Sequence, residues 1–102
     1  MAKLVALYKK PANAAAFDAY YYRTHITIAK TVPGLRRYEV SARPITTLQG
    51  ESPYHLVAIL SFDSMEAIQQ ALASPQGQAT AADLANFAQA GVELLVFESK
   101  EV

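Results

Sequence analysis

Phe17-Asp18-Ala19-Tyr20-Tyr21-Tyr22-Arg23-Thr24-His25, followed by Pro33-Gly34-Leu35-Arg36-Arg37-Tyr38, decides how the rest of the chain is read. From Ala14 to about Lys30 the bulky residues Phe17, Tyr20, Tyr21, Thr24, His25 and Ile28 recur at three- and four-residue steps, which is one face of a helix. Asn13 is of the type that caps a helix N-terminus. Pro33-Gly34 ends the helix, and a strand runs from Leu35 to Ile45 with Tyr38, Val40 and Ala42 on one side and Arg37, Glu39 and Ser41 on the other. A histidine therefore stands among aromatics near the end of a helix, beside the start of a strand. Tyr20, Tyr21 and Tyr22 cannot all face inward, because consecutive helical residues point about 100° apart; Tyr22 is expected outside.

Before this unit, Lys3 to Lys9 is a short apolar run bounded by Lys9-Lys10-Pro11 and reads as a first strand. After it, Thr46 to Pro53 reads as a polar loop around Gly50. Tyr54 to Phe62 is a third strand, with Tyr54, Leu56, Ala58, Leu60 and Phe62 pointing one way and Val57 and Ile59 the other. His55 then lies opposite Tyr54 and is expected to be structural or interfacial. Asp63, with Glu66 three residues on, matches a capping box for a helix whose inner stripe is Met65, Ile68 and Leu72. Ser74-Pro75 restarts the helix, with the serine as cap and the proline at the first helical position. Leu84, Phe87 and Ala88 continue the buried side, Gly91 closes it, and Val92 to Phe97 is a fourth strand.

The order βαββαβ is the ferredoxin-like arrangement, an α+β fold with a four-stranded antiparallel sheet and helices on one face. The 102 residues are expected to form one domain, 1–102. The third and fourth strands are apolar on both faces, so a lone copy would leave an apolar sheet surface in water. A two-fold homodimer packed sheet against sheet covers it.

Composition removes several classes of function. The net charge is zero and only 18% of residues are charged, which argues against nucleic-acid binding. There is no cysteine, and so no disulfide, thiolate nucleophile or cysteine-ligated metal. No apolar run approaches the ~20 residues of a membrane span, and the first residues lack the pattern of a signal peptide. A cytoplasmic protein is expected. Two histidines on separate elements do not make a metal site, which needs at least three convergent ligands, and no phosphate loop or Ser/His/Asp arrangement is present.

His25 is the leading residue for chemistry, since its ordinary pKa of about 6.5 allows proton exchange near neutrality. On an apolar helix face, a structural histidine bonded to backbone is the competing reading. Tyr38 follows as a hydroxyl donor to a developing oxyanion, against the plainer role of a sheet-packing aromatic. Tyr8 and Tyr54 carry the same two readings. Asp18 reads as an exposed helical residue.

The chain resembles the EthD family, within the dimeric α+β barrel superfamily. The likeness rests on Tyr20-Tyr-Tyr-Arg-Thr-His25, Pro33-Gly-Leu-Arg-Arg-Tyr38, Tyr54-His-Leu-Val-Ala58, Phe62-Asp-Ser64, and Ala73-Ser-Pro75 leading to Asp83-Leu-Ala-Asn-Phe87. It departs at Thr27, where many members carry proline, so the helix is expected to run on past His25. Similar domains include cofactor-independent lactone isomerases and fungal polyketide-tailoring enzymes described as oxygenases or decarboxylases. The resemblance implies a pocket for a small apolar or aromatic ligand between sheet and helices, with His25 and Tyr38 as catalytic residues, Tyr8, Phe17, Tyr21 and Tyr54 as ligand-binding residues, and no cofactor or metal. The expected activity is that of a cofactor-independent oxidoreductase (monooxygenase-like) or isomerase with His25 as acid or base. The alternatives are a non-catalytic ligand-binding accessory protein of a degradation pathway, or haem ligation through His25.

Overall fold

The computed structural model describes residues 1–102. In chain order the elements are β1 (Ala2–Lys9), α1 (Ala14–Tyr20), a π-helical turn (Tyr21–His25), α2 (Ile26–Ala29), β2 (Arg37–Val40), β3 (Thr46–Thr47), β4 (Gly50–Glu51), β5 (Tyr54–Phe62), α3 (Met65–Ala73), α4 (Pro75–Asp83), a 3-10 turn (Leu84–Asn86) and β6 (Val92–Glu98). The four main strands form an antiparallel sheet in the order β2-β5-β1-β6. With the helices on one face, this is the ferredoxin-like βαββαβ fold. No helix is long and apolar enough to cross a membrane.

Local signals place the helix ends. Asn13 accepts a hydrogen bond from the Ala16 amide, and Ser74 accepts one from the Gly77 amide with Pro75 at the first helical position. Gly34 and Gly91 have φ of +82° and +115°, a region closed to most side chains, and they turn the chain into β2 and β6. Asp63 is not the cap of α3. Ser64 is, accepting from the Ala67 amide, while Asp63 takes a two-pronged hydrogen bond from Arg36 at 2.8 and 3.1 Å. The helix thus starts one residue later, and Glu66 stands at its second position, out of capping-box register. The second strand is also shorter than Leu35–Ile45, and the expected loop 46–53 contains the small β3/β4 hairpin.

On the helix-facing side of the sheet, Ala2, Ala6, Tyr8, Leu56, Ala58, Leu60 and Phe62 form the core with Phe17, Tyr21, Val32, Ile68, Ala71 and Phe87. Leu72 is half-exposed at the rim; the inner stripe of α3 is Ile68 and Ala71, with Met65 at its edge. The opposite face carries Val5, Leu7, Val57, Ile59, Leu95 and Phe97 with no element over it. Leu95 and Phe97 are 49% and 45% exposed.

The first helical run is not a plain α-helix. Its buried residues Phe17, Tyr21, His25 and Ala29 are spaced by four throughout. Four α-helical residues overshoot one turn by roughly 40°, so such a row would wind off the buried face. The π turn, in which the Ile26 amide bonds to the Tyr21 carbonyl, is wound more loosely and cancels part of that drift. The helix does run on past Thr27, but by way of this turn.

Candidate functional site

Small residues from four elements face one another between sheet and helices. Ala6 and Ala58 on the sheet, Ala29 on α2, and Gly77 and Ala81 on α4 leave a largely apolar cavity of about 80 Å³. Into its wall come Tyr8, Tyr21, His25 and Tyr38, carried by β1, the π turn and β2.

His25 is 3% exposed. Its Nδ1 lies 2.9 Å from Oδ2 of Asp83, at the end of α4, and Asp83 is itself 6% exposed. The other carboxylate oxygen, Oδ1, accepts from the Tyr20 hydroxyl at 2.6 Å and from Nδ2 of Asn86 at 3.0 Å. Asp83 does not line the cavity; it stands behind the imidazole. Nε2 of His25 makes no hydrogen bond within the protein, yet no fully buried side-chain nitrogen or oxygen lacks a partner. Nε2 is therefore an accessible atom, and His25 is one of the residues that line the cavity. Phe87 closes over the ring, with centroids 4.6 Å apart.

Charge in this cluster follows from its bonds. Burial pushes the Asp83 carboxyl up, but the hydrogen bonds from Tyr20, Asn86 and His25 outweigh it and hold the group below the ordinary carboxylate range. Burial lowers the pKa of His25 below 6.5, against the raising effect of the Asp83 hydrogen bond and charge. The resting state is thus a carboxylate and a neutral imidazole. Burial raises the pKa of Tyr8, Tyr21 and Tyr38, so all three stay protonated. The hydroxyls of Tyr21 and Tyr38 are 2.7 Å apart. One donates to the other, and the Tyr8 hydroxyl stands beside Tyr21 as a third member of the group.

A pH dependence follows. The folded protein binds a proton at His25 less readily than the unfolded chain does, so the unfolded state holds more protons as pH falls below about 6.5 and stability declines. Stability is full above that value and is lost as pH drops through the lower, folded pKa. Asp83 adds a loss of the same sign, starting near its ordinary value of 3.8. Urea midpoints from pH 8 to pH 4 should fall in the wild type, and the portion beginning near pH 6.5 should be absent in His25→Gln.

The structure brings together His25, Tyr38, Tyr8 and Tyr21. It does not bring Phe17 or Tyr54 to the cavity. Phe17 is core, edge-on to Tyr8 and Phe87 and to His55 on its other side. Tyr54 lies on the open face, its hydroxyl 3.2 Å from the Glu93 carboxylate. The cause is a bulge: β1 pairs Tyr8 with Leu56 and then Lys9 with Tyr54, skipping His55. The alternation reverses there, so Tyr54 leaves the row of Leu56 and His55 turns to the helix, where its Nε2 is 2.7 Å from Oδ1 of Asp18. Asp18 is accordingly a partner of His55 and only half-exposed. Sequence reasoning missed Asp83 and Tyr20. The available signal was that Asp83 precedes Phe87 by four positions on the inward stripe of a helical segment.

Comparison with known proteins agrees with this architecture. Residues 9–91 match the family model of the EthD domain. An 11.0 kDa protein encoded between thcB and thcC in Rhodococcus erythropolis is 37% identical over 103 residues, covering all of this chain and 98% of the relative. The crystal structure of an EthD family protein from Bacillus halodurans superposes with a TM-score of 0.90 at 35% identity, covering 98% of this chain and 99% of the other. SnoaB, a cofactor-independent oxygenase from Streptomyces nogalater, shares the fold, with a TM-score of 0.69 at 20% identity over 99% of this chain and 94% of SnoaB. The chain belongs to the EthD family.

Proposed function

We propose that the protein is a homodimeric small-molecule pocket protein that performs proton-transfer chemistry, without a cofactor, on a small apolar or aromatic metabolite. The observation that carries this reading is an imidazole with one nitrogen free of any protein partner, on a residue that lines an apolar cavity together with Tyr8, Tyr21 and Tyr38. Nε2 takes a proton from an acidic C–H or O–H of the ligand. The enolate or phenolate left behind is held by a hydroxyl of the Tyr8, Tyr21 and Tyr38 group turned to the ligand oxygen. The proton then returns to a different carbon in an isomerisation, or the electron-rich carbon of the anion is oxidised by dioxygen to a peroxide, which takes the proton back from Nε2 and loses water to leave a carbonyl. The oxygenase named for SnoaB, on the same fold, lends support to the second outlet. No lysine or arginine lines the cavity, which favours uncharged ligands.

The test uses His25→Asn, whose amide nitrogen falls near the place of Nδ1 and keeps an N–H for Asp83 while the titratable nitrogen is removed. With a panel of phenols and unsaturated lactones, turnover should fall by ~100-fold or more, the usual worth of a positioned general base, while the melting temperature stays close to that of the wild type. Binding of a panel member with no turnover by either protein would instead identify a carrier.

A further inference from the structure

We infer that Asp83 is a positioning residue that fixes which nitrogen of His25 carries the proton, and that Tyr20 and Asn86 fix Asp83 in turn. Its consequence for catalysis rests on the reading of His25 as the base; the proton placement itself does not.

A carboxylate has only acceptor oxygens. A neutral imidazole 2.9 Å from Oδ2 must therefore keep its hydrogen on Nδ1, which leaves Nε2 with its lone pair toward the cavity. The opposite tautomer would set a lone pair on Nδ1 against Oδ2 and point an N–H into the cavity. Both oxygens of Asp83 have separate duties. Oδ2 serves His25 alone, and Oδ1 takes the two donors Tyr20 and Asn86.

That division has a consequence for Asp83→Asn, a change of one atom. The amide has one acceptor and one donor end. Two donors converge where Oδ1 stands, so the amide oxygen belongs there and the amide N–H₂ faces His25. The reverse orientation would strip the Tyr20 O–H of its only protein acceptor and require the Asn86 amide to flip as well. With an N–H₂ opposite it, Nδ1 must become an acceptor, and the hydrogen moves to Nε2. Asp83→Asn therefore inverts the imidazole and blocks the cavity-facing lone pair. Adding Tyr20→Phe and Asn86→Ala removes the donors that orient the amide, so the amide can turn and Nδ1–H returns.

The experiment is ¹⁵N NMR of histidine-labelled protein above pH 7.5, where nitrogen shifts separate the protonated from the unprotonated ring position. The expected result is Nδ1–H for His25 in the wild type, Nε2–H in Asp83→Asn, and recovery of Nδ1–H in the triple variant. Any turnover found should fall by ~100-fold or more in Asp83→Asn and recover in part in the triple variant. Nε2–H in the wild type, or an unchanged tautomer in Asp83→Asn, would overturn the inference. If Asp83→Asn does not fold, the wild-type spectrum decides alone. If the tautomer inverts as stated while turnover does not change, the assignment of Asp83 stands and it is the role of His25 as a base that fails.

Discussion

Val57→Asp is expected to yield a folded monomer. Val57 lies on β5 opposite Leu7 of β1, on the sheet face that no helix covers, and Ile59, Leu95 and Phe97 continue the patch. These side chains are half-buried or exposed in one copy, so a carboxylate there meets water and the core on the other face is undisturbed. In the proposed two-fold dimer the same face is dry. Symmetry then buries two carboxylates, each costing roughly 3–5 kcal/mol when left without a partner. That is enough to dissociate a dimer of ordinary affinity at micromolar concentration. Light scattering should report twice the 11.1 kDa chain mass for the wild type and once that mass for Val57→Asp, with native far-UV circular dichroism in both. Leu95→Asp should behave alike. A wild type that is monomeric at that concentration, or a Val57→Asp protein that remains a dimer, would refute the sheet-to-sheet packing.

Gly77→Val should have the largest effect on the isolated fold. Gly77 is the third residue of α4, where that helix turns back across the end of α3. A Cβ there would run into the carbonyl of Ala71, and backbone cannot step aside as a side-chain tip can. Overpacking usually costs about 1–3 kcal/mol, and contact with backbone sets the expectation at or above the upper end. Relief would require α4 to move away from α3. Since α4 ends in Asp83, that displacement would also draw the carboxylate from His25. Urea denaturation should show the loss of stability, and Gly77→Ala should show a smaller one. Stability equal to wild type in both variants would mean that the contact of α3 with α4 is slack.

Much of this molecule was legible because its signals are local. Asn13, the Ser74-Pro75 pair and Gly34 act within a few residues of where they stand, and the structure uses each as read. The misreadings have distant or hidden causes. Asp63 and Ser64 are both good caps; what separates them is Arg36, which comes to Asp63 from before β2. The alternation along β5 fails at His55 because one unpaired residue reverses it, and period-two reasoning has no means of seeing an insertion. At the site, Tyr21 and His25 announced themselves by clustering on one helix. Asp83 did not, since 58 residues separate it from the imidazole and its four-residue step to Phe87 is the one mark of burial in an alanine-rich helix.

The row Phe17, Tyr21, His25 and Ala29, held on one line by the loosened turn, also has a profile: two large rings, a smaller ring, then a methyl group. Laid against the flat sheet, the helix is a wedge, thick at its first residue and thin at its last. The hollow in the protein is the space under the thin end, which is why Ala29 borders it and Phe17 does not. On the proposed function, room for a guest molecule and the proton chemistry beside it then fall to different positions of one helix, 29 and 25. A longer side chain at 29 would narrow that hollow from the thin end of the wedge, away from the Asp83 side of the imidazole.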